Sequence, residues 1–269
     1  MNSGFDEREA PLKQKIGYDK LLMAANAKRG VVVNWPDPRS FLPQAEQDWA
    51  LVSDKAQFTD AAGLVERQIR FEKGEARLAV QLFVSSLGTE PVLRRLLDTM
   101  LATSARDPFK LGPADIGQLC LVLPAASPSV LVINHNVFLR LRVDDYNLDI
   151  VAIARAMTKF MNDHLAPVVA DHVPNFGKPI IKPSHPLINE PFRIDIALPQ
   201  AIDPEQLLWA LSYAVDYDVV DQRAVGARHL ILTVNRPGIA DIPLWLADRS
   251  TLLSSESRIR VDVQPENKK

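Results

Sequence analysis

The stretch LVERQIRFEKGEARLAVQLFVSSLGTEPVLRRLLDTML, residues 64–101, decides how this chain folds. Its first half alternates apolar and polar residues on both sides of Lys73-Gly74, which reads as two strands joined by a hairpin turn. Its second half changes period: Val92, Leu93, Leu96, Leu97, Met100 and Leu101 recur at helical spacing. Thr89, Glu90 and Pro91 mark the changeover. They supply a hydroxyl for the cap, an acid for the positive first turn and a proline where no amide partner is needed.

The same plan recurs downstream. In VLVINHNVFLRLRV, residues 130–133 and 137–143 read as strands, and Asn134-His135-Asn136 as the reversal between them, because asparagine tolerates the left-handed backbone of tight turns. His135 is expected at the hairpin tip, more exposed than buried. LDIVAIARAMTKFMNDHLA then supplies a helix, with Asp144, Asp145 and Asp149 at its positive start. A third copy is expected in PFRIDIALPQAIDPEQLLWALSYAV, where Asp203, Pro204 and Glu205 repeat the cap chemistry. Further strands are read at residues 229–235, 243–247 and 257–264. The fold class is α+β: antiparallel sheets with helices packed on one face, built from a strand-link-helix unit used about three times.

Outside these units the chain is less regular. Residues 13–28 have the spacing of an amphipathic helix, with Gly30 where a stop belongs. VVVNWPDPRSFLP is broken by Pro36, Pro38 and Pro43 and reads as a strap anchored by Trp35 and Phe41. Residues 167–191 hold six of the 20 prolines, the composition of a linker. The expected organisation is a helix and strap over 1–60, a larger α+β domain over 61–165, a proline-rich linker over 166–190 and a smaller α+β domain over 191–269.

Composition excludes several functions. Thirty-one Lys and Arg against 33 Asp and Glu leave a net charge of -2 with no long run of one sign, so no nucleic-acid partner is expected. No apolar stretch reaches the roughly 18–20 residues of a membrane-spanning helix, so no membrane insertion is expected. The opening MNSGFDEREAPLKQK lacks the apolar core of a signal peptide. The protein is expected to be soluble: cytoplasmic if Met1 is the native start, exported if a leader was trimmed. Cys120, alone within LCLVL, reads as a buried small hydrophobe and permits no internal disulfide.

Signatures of catalysis are missing. No G-x-S-x-G elbow, phosphate loop or G-x-G-x-x-G occurs, and the 11 glycines are scattered, so no cofactor is expected. His164, Asp171, His172 and His185 gather in and beside the proline-rich segment and are the catalytic candidates. Their spacing does not put two ligands on one helix face, so no metal is expected. Asp216, Asp218 and Asp221 fall where the third helix should end, an unfavourable place for acids, and count as binding candidates. Arg140 and Arg142 alternate with Leu139 and Leu141, which places both guanidiniums on one strand face beside Phe138. That face reads as solvent-exposed polar surface or as a basic stripe for an acidic partner, and all three residues are binding candidates. Trp209, Trp245 and Phe192 could form an aromatic patch in the smaller domain.

The expected function is a non-catalytic binding or assembly module of a soluble protein of bacterial type. Its partner would be a protein or a second copy, with a small-molecule ligand possible in the cleft between the domains. The alternative is a hydrolase or metal-assisted enzyme using the His and Asp residues near 164–185.

Overall fold

A computed structural model of the protein describes residues 3–24, 31–42, 48–59, 63–103, 109–123, 127–144, 148–168, 178–195, 207–211, 219–225 and 229–265. It divides into two compact units, Met1–Val169 with Ser250–Leu252, and Ala170–Arg249 with Leu253–Lys269. Among the described residues every strand pairing within the sheets is antiparallel and helices are a minority, an α+β composition.

The first unit contains, in order, α1 (Ser3–Ile16), α2 (Tyr18–Met23), β1 (Val31–Val32), β2 (Ala50–Phe58), β3 (Leu64–Lys73), β4 (Ala76–Ser85), α3 (Glu90–Thr103), β5 (Lys110–Leu111), β6 (Leu119–Leu123), β7 (Ser129–Asn134), β8 (Val137–Val143), α4 (Ile150–Asp163) and β9 (Ala166–Pro167). Seven strands form one sheet in the order β2-β3-β4-β8-β7-β6-β5, and β1 pairs with β9. In chain order β4 is followed by α3, and β8 by α4. Asp149 caps α4, its Oδ1 accepting from the Ala152 N–H at 2.9 Å.

Helices cover both faces of this sheet, not one. Residues opposite each other in a ladder share a face. On one face Leu64, Phe83, Phe138, Leu131 and Ile133 pack with Val92, Leu93, Leu96, Leu97 and Met100 of α3 and with Ile16 and Tyr18. On the other, Ile69, Phe71, Leu78 and Val80 meet Ile153 and Met157 of α4, together with Pro38, Phe41 and Leu42 of the strap. The physical reason lies in the central strands. All six residues of β7 are buried and β8 buries five of seven, so both faces are apolar and both need cover. The alternation over residues 64–85 reports the outer strands and hides this.

The first sixty residues therefore belong to this unit rather than standing apart from it. The helix read over 13–28 is two helices, broken where Gly17 takes a left-handed backbone (φ 66°) that a residue with a Cβ resists. Residues 25–30, including the expected stop, lie outside the described residues. The strap does run over Trp35 and Phe41, both buried, with their rings edge to face at 6.4 Å and Phe41 against Phe160 at 5.3 Å.

The second unit contains β10 (Ile180–Lys182), β11 (Pro191–Asp195), β12 (Leu207–Leu211), β13 (Val219–Val225), β14 (His229–Val234), β15 (Gly238–Asp248) and β16 (Ser254–Val263). They form two sheets, β10-β11-β14-β13 and β12-β15-β16. Phe192, Ile194, Leu232 and Val234 from the first enclose a core with Ile242, Leu244, Ile259 and Val261 from the second. No helix occurs among its described residues, so the expected third copy fails over residues 207–211. That stretch is strand, with Leu208 opposite Ala247 and Ala210 opposite Trp245. Helical spacing in LLWAL gave way because β15 has a second edge to pair, and ladder hydrogen bonds outweigh local preference. Asp203, Pro204 and Glu205 lie outside the described residues. The proline-rich segment also contributes structure, since β10 falls within it and pairs with β11.

The β7–β8 turn is fastened by one side chain. The Asn136 Oδ1 accepts from the Val31 N–H at 2.8 Å, and its Nδ2 donates to the Val31 carbonyl at 3.1 Å and the Ser85 carbonyl at 2.7 Å. It is 1% exposed, so water cannot replace these bonds. Asn136→Ala leaves three backbone groups without partners and is expected to cost about 2–4 kcal/mol in urea unfolding, with an unchanged m-value.

Candidate binding face

The interesting surface begins where α3 stops. That helix contacts β4, β7 and β8 and covers the end of the sheet face carrying Phe83, Phe138 and Ile133. Beyond it the same face continues over β2, β3, β4 and β8 in rows fixed by register. One row is Lys55, Gln68, Gln81 and Arg140; the next is Ser53, Arg70, Ala79 and Arg142. Nothing apolar and large occupies either row, so neither draws a helix onto itself.

These rows hold the cations Lys55, Arg70, Arg140 and Arg142, and no carboxylate. Lys55 and Arg70 are exposed, Arg140 and Arg95 of α3 half-buried, and none of the four makes an ion pair among the described residues. Arg95 lies with its guanidinium 4.9 Å from the Phe83 ring centre, and its Nε is buried without a hydrogen-bond partner. Burial, then the charges of Arg142 and Arg95, hold the Arg140 pKa below the usual guanidinium value. Glu66 pulls the other way, but its carboxylate already accepts from Gln57 Nε2 at 3.2 Å and Gln81 Nε2 at 2.9 Å. Arg142 is only loosely engaged, 3.9 Å from Asp144 and 3.3 Å from the Ser127 hydroxyl. The arrangement suits an anion: a carboxylate entering it would supply the acceptors that Arg140 lacks and relieve repulsion among the cations.

Phe138 does not belong to this surface. It is fully buried under α3, stacked on Phe83 at 5.3 Å, because the helix covers the strand's first residues and leaves only Arg140 and Arg142 uncovered. His135 is at the hairpin tip, with a left-handed backbone (φ 56°) and its N–H donating to Gln118 Oε1 at 2.8 Å. Its ring is half-buried rather than mainly exposed, with Nδ1 enclosed and lacking a hydrogen-bond partner, and burial lowers its pKa.

The catalytic candidates give no constellation among the described residues. His164 follows α4, its Nδ1 2.9 Å from the Phe160 carbonyl and its ring stacked on Phe160 at 4.2 Å. His185, exposed, stands 3.7 Å from an Asp262 oxygen. Asp171 and His172 lie outside the described residues, as do Asp216 and Asp218. Asp221 stands in β13 opposite Thr233, and the helix end that made those acids conspicuous is absent from the described residues. Among the described residues no three of His, Cys, Asp and Glu come together as metal ligands would. Cys120 is buried, and its thiol is pushed up to about 11, first by burial. Phe192 and Trp245 are both buried, so they present no exposed patch; the Trp209 side chain lies outside the description.

Sequence reasoning missed a second ionic cluster. On the outer face of β10, β11 and β14, the Asp195 carboxylate accepts from Lys182 Nζ at 2.8 Å, from Arg193 Nε, and lies 2.9 Å from His229 Nδ1. Lys182, then Arg193, hold the Asp195 carboxyl well below the usual carboxylate range. The i, i+2 spacing of Arg193 and Asp195 was a visible signal, but Lys182 and His229 join only through register. Here one carboxylate is shared by two cations, whereas Lys55, Arg70, Arg95 and Arg140 of the basic face have no ion-pair partner among the described residues.

The chain matches no protein-family model and no curated protein. No helix among the described residues is long and apolar enough to cross a membrane.

Two substitutions separate core from surface. Phe138→Ala is expected to lose about 3–5 kcal/mol of stability in denaturant unfolding, whereas Arg142→Ala stays within about 0.5 kcal/mol of the parent. His135 gives a pH signature. Because the folded state lowers its pKa from 6.5, its contribution is complete above that value and is lost as pH falls. Between about pH 7 and pH 5 the thermal midpoint of His135→Asn, which keeps a residue tolerant of the left-handed turn, should therefore fall less than that of the parent.

Proposed function

We propose that the protein is a non-catalytic binding module whose first unit receives an acidic segment of a protein partner on the open half of its seven-stranded sheet. The observation that carries this reading is Arg140: a half-buried guanidinium without a hydrogen-bond acceptor, set among Arg95, Arg142, Arg70 and Lys55. A chain with no use for that charge would be more stable with a neutral residue there, since desolvating an unpaired cation is costly. The flatness of a sheet suits a polypeptide more than a small ligand, which needs a concave pocket. Among the described residues the rings nearest this face, Phe83 and Phe138, are buried under α3 and offer no stacking surface for bases.

The test is fluorescence anisotropy with a labelled glutamate-rich peptide at low salt. Binding is expected, weakening steadily as salt rises, with a lysine-rich peptide of equal length showing none. The double reversal Arg70→Glu with Arg142→Glu, both at exposed positions, should raise Kd at least tenfold without moving the thermal midpoint by more than about 2 °C. An unreduced affinity in that variant, or no binding by the parent, would reject the proposal.

A further inference from the structure

The register of the four strands also measures the partner. From the row Lys55, Gln68, Gln81, Arg140 we infer that the occupant is an extended chain crossing the strands with acidic residues at positions i and i+4; this rests on the reading of the face as an acidic-segment site. The row begins with one cation and ends with another, and two neutral amides stand between them. Lys55 and Arg140 lie on strands three apart in the sheet, so their backbones are about 14 Å apart. An extended polypeptide rises roughly 3.4 Å per residue and returns a side chain to the same face every second residue. Four residues then span about 14 Å and place both acids on the side facing the sheet. No shorter spacing does both: i+3 points its second acid away, and i+2 reaches only half the distance.

A helical occupant fits worse. With a rise of about 1.5 Å per residue, a helix covers that length in roughly nine residues, which puts the two acids on opposite sides. The lane's borders favour the same geometry. On one side it is bordered by α3 over β4 and β8, with Arg95 at the rim over Phe83, and by the row Gln57 and Glu66 over β2 and β3. On the other, the next row is occupied by Glu72 and Arg77, paired at 3.6 Å. Two rows of side chains remain between these borders, the width of a single extended chain. Residue i+2 of the occupant would meet Gln68 and Gln81, which suits a neutral side chain able to hydrogen-bond. Arg70 and Arg142 in the second row then flank the backbone, available to main-chain carbonyls.

The experiment uses the full chain and three capped nine-residue peptides of Ser and Thr, each with two glutamates, placed at i,i+2, i,i+3 or i,i+4. All carry the same charge. Titrations are followed by NMR amide shifts at low salt, a readout suited to weak binding. The i,i+4 peptide is expected to shift the amides of Lys55 and Arg140 together and to bind at least about threefold tighter than the others, the modest size of one added exposed ion pair. Its advantage should vanish in Lys55→Gln, a surface change that leaves the fold alone. Equal binding by all three peptides would overturn the spacing while leaving the acidic-segment reading intact, whereas failure of all three together with the glutamate-rich probe would remove both. Tighter binding by a single-stranded oligonucleotide of matched charge, or a self-associated form in which Lys55 and Arg140 are already covered, would likewise overturn it.

Discussion

The pairing of β4 with β8 is the joint on which the first unit depends. It connects strands separated in sequence by α3 and three further strands, so its register is set by side-chain fit rather than by a short turn. Phe83 opposite Phe138 supplies that fit under α3, and the same register carries Gln81 to Arg140 and Ala79 to Arg142 further along. A slip of β8 by one residue would send Phe138 to the α4 side, away from Phe83, and the arginines with it. Core and basic face are consequently two ends of one alignment. Whatever stabilises the aromatic pair also holds the guanidiniums in row.

Charge placement on this sheet shows how a fold can keep cations close together without collapsing. Exposed Lys55 and Arg70 are screened by water and cost little where they stand. Arg140 and Arg95 are different, since each is partly withdrawn from solvent and each raises the cost of the other's charge. The stacking of Arg95 on Phe83 offsets part of this through the ring's negative face. Elsewhere the chain settles such problems internally: Glu9 is held between Lys13 at 2.7 Å and Arg94 at 2.6 Å, and Arg67 meets Asp54 through two hydrogen bonds. Among the described residues Lys55, Arg70, Arg95 and Arg140 of the basic lane have no such ion-pair partner.

Much of the first unit was legible because its signals are local. The Lys73-Gly74 turn, the start of α3 at Glu90 and the Asn-His-Asn reversal each lie within a few residues of the elements they separate. Cover on both faces was not legible, because the apolar runs 130–133 of β7 and 137–139 of β8 can equally be read as buried helix, and Arg140 and Arg142 give the rest of β8 the alternation of a one-sided strand. LLWAL failed for a related reason: five apolar residues satisfy either period, and the deciding partner, β15, lies more than thirty residues away. At the candidate site Arg140 and Arg142 were readable from alternation. Lys55, Arg70 and Arg95 were not, since only register and helix placement bring them alongside. Phe138 was misassigned because parity tells which face a residue takes, but not how far along that face a helix extends.

One feature of β2 bears on how the surface can be used. It is an edge strand of nine residues, and a long edge invites another strand to add itself by main-chain hydrogen bonding. Here the pairing with β3 shifts between Leu51 and Ser53, and Asp54 and Lys55 follow at once. A kinked, charged border is a poor template for polymerisation. The molecule thereby blunts the indiscriminate mode of β-protein association, which reads only backbone, so that the contact proposed for this face would be read by its side chains.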